Sequence, residues 1–241
     1  MKVLALDTSN RPLSVALLED ETVVGKVTTA TQLDHSVQLM SAIASLMADE
    51  GWQPTDLDRV VVAQGPGSYT GVRIAVTTAK TLAATLNLEL VGVSSLAVLA
   101  GGVAQASNQL IVPVFDGRNT QLYAGGYRVK EGELTNVIAD QHTNLTSWLT
   151  LLADLNEPVL LVGETTRYHD EIVNQLGDNA LFAPTADNLP DAGVLGQLGQ
   201  AIAPVENIDN FVPKYLRLSP AEAQWAAAHP GETNTNYVEE V

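Results

Sequence analysis

Hydrophobic positions in the first half of the chain alternate between short β-branched runs and longer stretches with a helical repeat. One such stretch places Val37, Met40, Ala44 and Met47 on a single helical face, and Gly51 ends it. The short runs are rich in Val and Leu and bounded by turn residues, which indicates strands. The predicted order is β-β-β-α-β-α-β, with strands at residues 3–7, 13–18, 22–28, 59–63 and 90–93 and helices at 34–50 and 70–86.

The second half of the chain repeats this plan. An apolar run ends in Asp116 as the first run ends in Asp7, 109 positions earlier, and Gly163 follows a strand as Gly65 does, 98 positions earlier. Near-constant offsets of this kind predict an internal duplication. Polar residues, Gly and Pro break the uncharged stretch 90–115, which predicts strand, helix, loop and strand rather than a membrane span. The other elements predicted here are strands at 110–115, 121–128, 134–138 and 158–162 and helices at 145–155 and 192–202.

A duplicated β-β-β-α-β-α unit is the plan of the actin, sugar-kinase and Hsp70 superfamily, in which two ribonuclease-H-like lobes flank a cleft. The predicted fold class is therefore α/β, with a mixed sheet in each lobe. We expect an N-terminal lobe that binds a partner, a C-terminal lobe, a segment that packs back on the first lobe, and a disordered acidic tail. These correspond to residues 1–106, 107–205, 206–228 and 229–241, with a short helix at 220–228.

Composition narrows the functions that the chain can have. Its 241 residues include 28 acidic and 12 basic side chains, a formal charge of −16, and no cysteine. The lack of Cys excludes a disulfide scaffold, a thiolate metal site and a cysteine nucleophile. A strongly acidic chain is a poor candidate for a broad nucleic-acid surface, because such surfaces depend on clustered Lys and Arg. The first residues lack the apolar core of a signal peptide, so we expect a cytoplasmic protein.

A glycine-rich stretch, GPGSYTGVR, occupies residues 65–73 between a predicted strand and a predicted helix. Glycines permit positive φ and close backbone approach, and the free amides of a helix N-terminus could hold an anion. The alternative is a tight strand–helix connection in which Ser68 or Thr70 caps the helix. The stretch has neither the ending of a Walker loop nor the spacing of a dinucleotide fingerprint.

Asp7 and Asp116, at the tips of corresponding strands, are the candidates for cofactor binding. An aspartate at this place could hold a metal-bound water near a phosphate, or it could cap a turn through its own backbone. His35 opens the first helix, but Leu39 stands one turn later, where a second His would complete a metal pair. We predict no bound metal, and the absence of a Gly-x-Ser-x-Gly elbow gives no support for Ser-His-Asp chemistry.

Several motifs together resemble the TsaB (YeaZ) family. They are LALDTS at residues 4–9, DHS at 34–36, GPGSYTGVRI at 65–74, Asp116-Gly117-Arg118 with Tyr123, and PKYLR at 213–217. The match spans most of the chain, and the glycine-rich run is highly specific for the family. Departures are small, with Ala75 where a Gly is usual and Asn119 where a second Arg often follows.

The resemblance implies a non-catalytic dimerisation subunit of the bacterial complex that makes N6-threonylcarbamoyladenosine (t6A) in tRNA. Its sister subunit TsaD carries a metal-binding His-x-x-x-His and modifies the adenosine next to the anticodon, and the ATPase TsaE joins them. The expected partners are thus TsaD and TsaE, with tRNA contacted through the complex, a homodimer in isolation, and no cofactor. The alternatives are a free-standing kinase or metallopeptidase that uses Asp7 and Asp116, or a nucleotide-binding regulator.

The helices at 34–50 and 70–86 are apolar on more than one side, so two layers must cover them. One layer is the sheet, and the other is either more of the core or a partner. The family's habit of pairing through this lobe favours a partner, and we expect the interface side chains to face outward. The predicted interface consists of His35, Leu39, Ile43, Leu46, Tyr69, Val72, Arg73, Val76, Thr77 and Lys80.

Overall fold

The computed structural model describes residues 1–29, 35–105 and 107–217, with backbone alone at residues 35 and 36. Asp34, the predicted helix at 220–228 and the predicted tail at 229–241 lie outside the described residues. Within the described ranges, every helix is too short or too polar to cross a membrane.

The first half of the chain forms a mixed five-stranded sheet in the order β3-β2-β1-β4-β5. β1 pairs antiparallel with β2 and parallel with β4, which in turn runs parallel to β5. The central strands are almost wholly buried because helices cover both of their faces. The elements are β1 Lys2–Asp7, β2 Leu13–Glu19, β3 Thr22–Thr29, α1 His35–Asp49, β4 Arg59–Ala63, α2 Tyr69–Leu86, β5 Glu89–Val93 and α3 Ser95–Ala104.

The second half repeats the same sheet in the order β8-β7-β6-β9-β10, with the same parallel and antiparallel pairs. This repetition confirms the predicted fold class, an α/β protein with two duplicated ribonuclease-H-like lobes. The elements are β6 Leu110–Asp116, β7 Gln121–Lys130, β8 Glu133–Asn144, α4 Leu145–Asp154, β9 Val159–Gly163, α5 His169–Leu176, β10 Ala180–Phe182 and α6 Ala192–Gln200.

The third helix of each half packs mainly on the sheet of the other half. α6 lies across β1 and β2 of the first sheet, whereas α3 lies against β6, β7 and β8 of the second. The two helices also contact each other, so they form a shared layer between the sheets. On the outer sides, α1 and α2 cover the first sheet, and α4 and α5 cover the second. The molecule therefore has five layers in the order helices, sheet, helices, sheet, helices.

Polar contacts hold both α3 and α6 in place. Ser94 caps α3 by accepting a hydrogen bond from the amide of Leu96, and its hydroxyl donates to Asp140 of β8 at 2.5 Å. Arg59 of β4 donates to the carbonyl of Gly199 at the end of α6 and pairs with Glu89 at 2.6 Å. Because the Arg59 side chain is buried, these contacts satisfy a charge that would otherwise be costly to bury.

Two differences from the predicted elements concern the second lobe. β8 runs to residue 144 rather than 138, because it continues past register shifts opposite residues 124–127 of β7. α5 and β10 were not predicted; one has only eight residues and the other only three, too short for a clear periodic pattern.

Candidate functional site

The glycine-rich stretch packs α2 tightly against the tip of β1. Ser68 is the N-cap of α2 and accepts from the amide of Gly71 at 3.4 Å, while its own amide donates to the carbonyl of Ser9 at 2.7 Å. A Cβ added to Gly67 would lie 2.1 Å from the carbonyl oxygen of Ser9, and one added to Gly71 would lie 2.0 Å from that of Thr8. The glycines are therefore required by this backbone contact, and Ser68, one of the two predicted capping residues, is the cap. The tight-connection interpretation is favoured over an anion cradle.

Asp7 caps the turn that follows β1. It is fully buried, and its Oδ1 accepts from the amide of Ser9 at 2.8 Å. Thr8 then donates through Oγ1 to the carbonyl of Gly71 at 2.7 Å, which closes the contact with α2. This geometry is that of a turn capped through its own backbone.

Asp116 is engaged by donors of its own lobe. Its Oδ1 accepts from the amide of Arg118 and from the hydroxyl of Tyr168, and its Oδ2 pairs with Arg167 at 2.8 Å. Partial burial alone would raise the pKa of Asp116, but the hydrogen bonds from Tyr168, Arg118 and Arg167 outweigh it and lower the pKa. Burial and the bond to Asp116 in turn raise the pKa of Tyr168 to about 12. Both carboxylate oxygens thus already have partners.

The histidines whose side chains are described stand apart from one another. His169 stacks on Phe182 with ring centroids 4.8 Å apart, and His142 contacts Tyr123. Among the residues that the structure describes, no three His, Asp or Glu side chains gather as metal ligands would. Leu39 points into the core rather than toward the cleft loops.

Half of the predicted interface residues face the core, and the expectation that they face outward is wrong. Leu39 is 1% exposed and Val76 is 2% exposed, and both pack between the helices and the first sheet. The bulky branched side chains pack against the sheet because burying them removes the most apolar surface from water. The residues to which this correction applies are Leu39, Ile43, Leu46, Val72 and Val76.

The outward side of the two helices carries a different set of residues. On α1, Val37 is 68% exposed and Met40 is 48% exposed, and Ala44 continues the same side one turn later. On α2, Thr77 and Thr81 are exposed. No Asp, Glu, Lys or Arg occurs between residues 35 and 48. We call the exposed sides of α1 and α2, represented by Val37, Met40, Ala44, Thr77 and Thr81, the outer helix face.

Of the remaining predicted residues, Tyr69 and Lys80 contact the chain's own C-terminal segment, residues 205–217, whereas the side chain of His35 lies outside the described residues. The ring of Tyr69 stacks on Tyr215 with centroids 5.1 Å apart, and Arg73 donates to the Tyr69 hydroxyl at 2.6 Å. Lys80 donates from Nζ to the carbonyls of Asp209 and Phe211, each at 2.8 Å. Sequence reasoning did not assign the contacts with the C-terminal segment, because no local pattern relates residues more than a hundred positions apart.

A contact that the sequence did not reveal joins Tyr123 and His142 in the second sheet. Tyr123 of β7 and His142 of β8 are directly paired on adjacent antiparallel strands, with ring centroids 5.1 Å apart. Burial lowers the pKa of His142, and the positive charge of Arg217 in the C-terminal segment lowers it further. Burial raises the pKa of Tyr123, and the charge of Arg217 opposes this only in part. The family motifs drew attention to Tyr123 and Arg217 separately, but nothing in the sequence placed them together.

The two lobes share one topology, the cleft loops are held by the chain's own groups, and the α1 side of the outer helix face carries no charged residue between residues 35 and 48. These features define a two-lobed α/β protein built by duplication. The profile of the family described as "TsaD: tRNA N6-adenosine threonylcarbamoyltransferase" matches residues 20–225. Relatives named TsaB are 42% and 30% identical over nearly the whole chain, and with the profile match they show that the chain belongs to the TsaB (YeaZ) family. This membership confirms the resemblance inferred from the motifs.

Relatives match over nearly the whole chain. The tRNA threonylcarbamoyladenosine biosynthesis protein TsaB of Bacillus subtilis (strain 168) is 42% identical, covering 93% of this chain and 98% of the relative. The protein of the same name from Escherichia coli (strain K12) is 30% identical, covering 90% and 95%. The structure of YeaZ from Pseudomonas aeruginosa superposes with a TM-score of 0.73 at 26% identity, covering 89% of this chain and 99% of the other.

Proposed function

We propose that the chain is a non-catalytic subunit required for t6A modification of the adenosine next to the anticodon of tRNA. It binds and supports a catalytic TsaD subunit, and the ATPase TsaE joins the assembly in the cytoplasm. The observation that carries this proposal is the end-to-end likeness to TsaB of B. subtilis, which leaves no substantial part of either chain unmatched.

The contacts of the side chains at the cleft favour a non-catalytic role. Asp116 is occupied by Arg118, Tyr168 and Arg167, and the loop after β1 fills the concave side of the glycine-rich stretch. Leu39 stands where a second histidine would complete a metal pair, and it is buried in the core. Nothing in this arrangement favours the alternatives of a kinase, a metallopeptidase or a nucleotide-binding regulator.

The outer helix face is the surface that we assign to the partner. Val37 and Met40 expose apolar area in the middle of a helix that has no charged residue before Asp49. The centres of protein interfaces are depleted of charge in the same way. Small residues such as Ala44 and Thr77 let a partner's helices approach closely. Because TsaD shares the lobe architecture, the same face can pair two copies of this chain when TsaD is absent.

The net charge supports a division of labour within the complex. At −16, this chain would repel a tRNA backbone over most of its surface, so the partners supply the main contacts with tRNA.

The test is reconstitution of the modification from purified TsaD, TsaE and this chain, measured as t6A formed on unmodified tRNA. We expect formation to require the chain, and the chain alone to show no ATP turnover and no peptide cleavage. Turnover by the isolated chain that is lost in Asp7→Ala would overturn the non-catalytic role. Full modification without the chain would overturn the requirement for it.

The surface assignment has its own test. A charge buried without a partner costs several kcal/mol, roughly 3–5. Val37→Glu and Met40→Glu should therefore weaken the association of the chain with TsaD and with a second copy of itself, as measured by sedimentation. Val173→Glu is the matched control, since Val173 is 40% exposed on α5 of the other lobe. If all variants associate as tightly as the parent, the interface lies elsewhere.

A further inference from the structure

Methionine is the only source of side-chain sulfur in this chain, which has three methionines and no cysteine. Peroxide oxidises the thioether of methionine to a sulfoxide, and this turns a flexible apolar side chain into a polar one. The change disrupts interfaces that depend on methionine, and methionine sulfoxide reductases reverse it. The position of each methionine in the fold therefore decides whether its oxidation has an effect.

The three methionines differ in exposure and in location. Met47 of α1 is 6% exposed and packs in the core of the first lobe. Met40, two turns earlier on the same helix, is 48% exposed and belongs to the outer helix face. Met1 is also exposed, but it lies off this face, and its amino group pairs with Asp20 at 2.7 Å. Peroxide in solution should therefore reach Met40 and Met1 and spare Met47.

Met40 stands in the apolar part of the outer helix face. The exposed apolar residues Val37 and Ala44 lie one turn before it and one turn after it on the same side of α1. No Asp, Glu, Lys or Arg occurs between residues 35 and 48. A partner that covers this side of the helix takes the thioether out of water together with its apolar neighbours, as at the centre of a protein interface.

Exposed hydroxyl groups of α1 and α2 already donate within their own helices. Ser41 donates from Oγ to the carbonyl of Val37 at 3.3 Å, and Thr81 donates from Oγ1 to the carbonyl of Thr77 at 2.9 Å. These protons are engaged, so neither hydroxyl offers a hydrogen bond to a sulfoxide oxygen on this face. An acceptor buried without a donor carries its full cost of desolvation, whereas burial of a thioether is favourable. Oxidation of Met40 would therefore oppose the burial of this face.

We propose that Met40 is an oxidation site through which hydrogen peroxide weakens the association of this chain with its partner. The sulfur lone pair forms an S–O bond to one peroxide oxygen as the O–O bond breaks. The other oxygen leaves as hydroxide, which takes the proton of the first to form water, so that sulfur is oxidised by two electrons and peroxide is reduced. This inference rests on the proposed function, which assigns the outer helix face to TsaD. A bound partner covers Met40, so oxidation acts on the unassembled chain.

The experiment treats the full chain with hydrogen peroxide, removes the excess with catalase, and then adds purified TsaD. Mass spectrometry of peptides should show sulfoxide forming much faster at Met40 than at Met47, while circular dichroism shows that the chain stays folded. Sedimentation should show association with TsaD weakened about tenfold. Treatment of the oxidised chain with methionine sulfoxide reductases A and B should restore the affinity of the untreated chain.

Two variants show whether Met40 is the residue responsible. Met40→Leu has no thioether at this position, so its affinity for TsaD should be the same before and after peroxide. Met47→Leu, the matched control on the same helix, should respond to peroxide as the parent does.

Two results would overturn the proposal. One is a chain that carries the sulfoxide at Met40 and binds TsaD as tightly as the untreated chain, and the other is a loss of binding by Met40→Leu after peroxide equal to that of the parent. Failure of the untreated chain to bind TsaD would instead overturn the proposed function, and this inference with it.

Discussion

The rings of Tyr69 and Tyr215 stack at 5.1 Å with an angle of 26° between their planes, and this contact joins the first turn of α2 to the C-terminal segment. Lys80 holds the same segment near residues 209–211, and Val205 donates to the carbonyl of Leu90 of β5. The segment is therefore attached to the first lobe along one edge of the outer helix face.

Removal of the stack should loosen the end of this segment. Tyr215→Ala loses an aromatic pair worth about 1 kcal/mol, and Tyr215 is half-exposed, so the fold itself should be retained. Hydrogen exchange measured by mass spectrometry should show faster exchange at residues 212–217 and unchanged exchange in β1 and β4. Tyr215→Phe, which keeps the ring, is the control and should exchange as the parent does. Unchanged exchange in Tyr215→Ala would show that the stack does not hold the segment.

Truncation of two neighbouring side chains on α1 should change the free energy of unfolding by very different amounts. Leu39→Ala creates a cavity beneath the sheet and should lower the free energy of unfolding by about 2–5 kcal/mol. Met40→Ala, one residue further, removes an exposed side chain and should change it by less than about 0.5 kcal/mol. Urea unfolding of the isolated chain measures both. Equal effects would mean that the face assigned to the core is wrong.

Two helical glycines provide a comparison of close packing with helix propensity. Gly71→Ala places a Cβ against the backbone oxygen of Thr8 and should destabilise the protein by about 2–3 kcal/mol. Gly102 of α3 has no atom within 4 Å of an added Cβ, so Gly102→Ala should stabilise by about 0.5–1 kcal/mol. Thermal unfolding followed by circular dichroism gives both changes. A neutral Gly71→Ala would remove the packing explanation of the glycine-rich stretch.

The bonds to Asp116 predict a specific loss of stability in acid. The folded pKa of Asp116 lies below its ordinary value of 3.8, so its contribution is complete well above pH 3.8 and is lost as the pH falls through the folded pKa. The difference in unfolding free energy between the parent and Asp116→Asn should therefore be constant from pH 7 to pH 5 and shrink below pH 4. Urea unfolding across this range measures it. A constant difference down to pH 3 would contradict the lowered pKa.

Much of the fold could be predicted because local patterns were strong. The Val-rich run at residues 59–63 coincides with β4, and the helix predicted at 70–86 begins one residue earlier, at Tyr69. The paired aspartates and glycines showed the duplication, because they mark the same strand ends in both lobes. Short elements such as α5 and β10 depend on tertiary contacts, which a single sequence does not contain.

The candidate sites were less predictable because their geometry is non-local. An apolar helix face looks the same in sequence whether it meets a sheet or a partner, and Leu39 and Val76 were therefore placed on the wrong side. Tyr69 and Tyr215 lie 146 positions apart and stack only because the C-terminal segment packs back on the first lobe.

Because α3 and α6 each pack on the sheet of the other half, the two halves of the chain are not two separable domains. A cut between α3 and β6 would leave the first fragment without α6, so one side of its sheet would be bare, and the second fragment would lack the cover that α3 provides. Each fragment would then expose an apolar sheet surface that its counterpart could cover. The halves should consequently regain structure by complementation when mixed, and the uncut chain should lose both lobes in a single cooperative step.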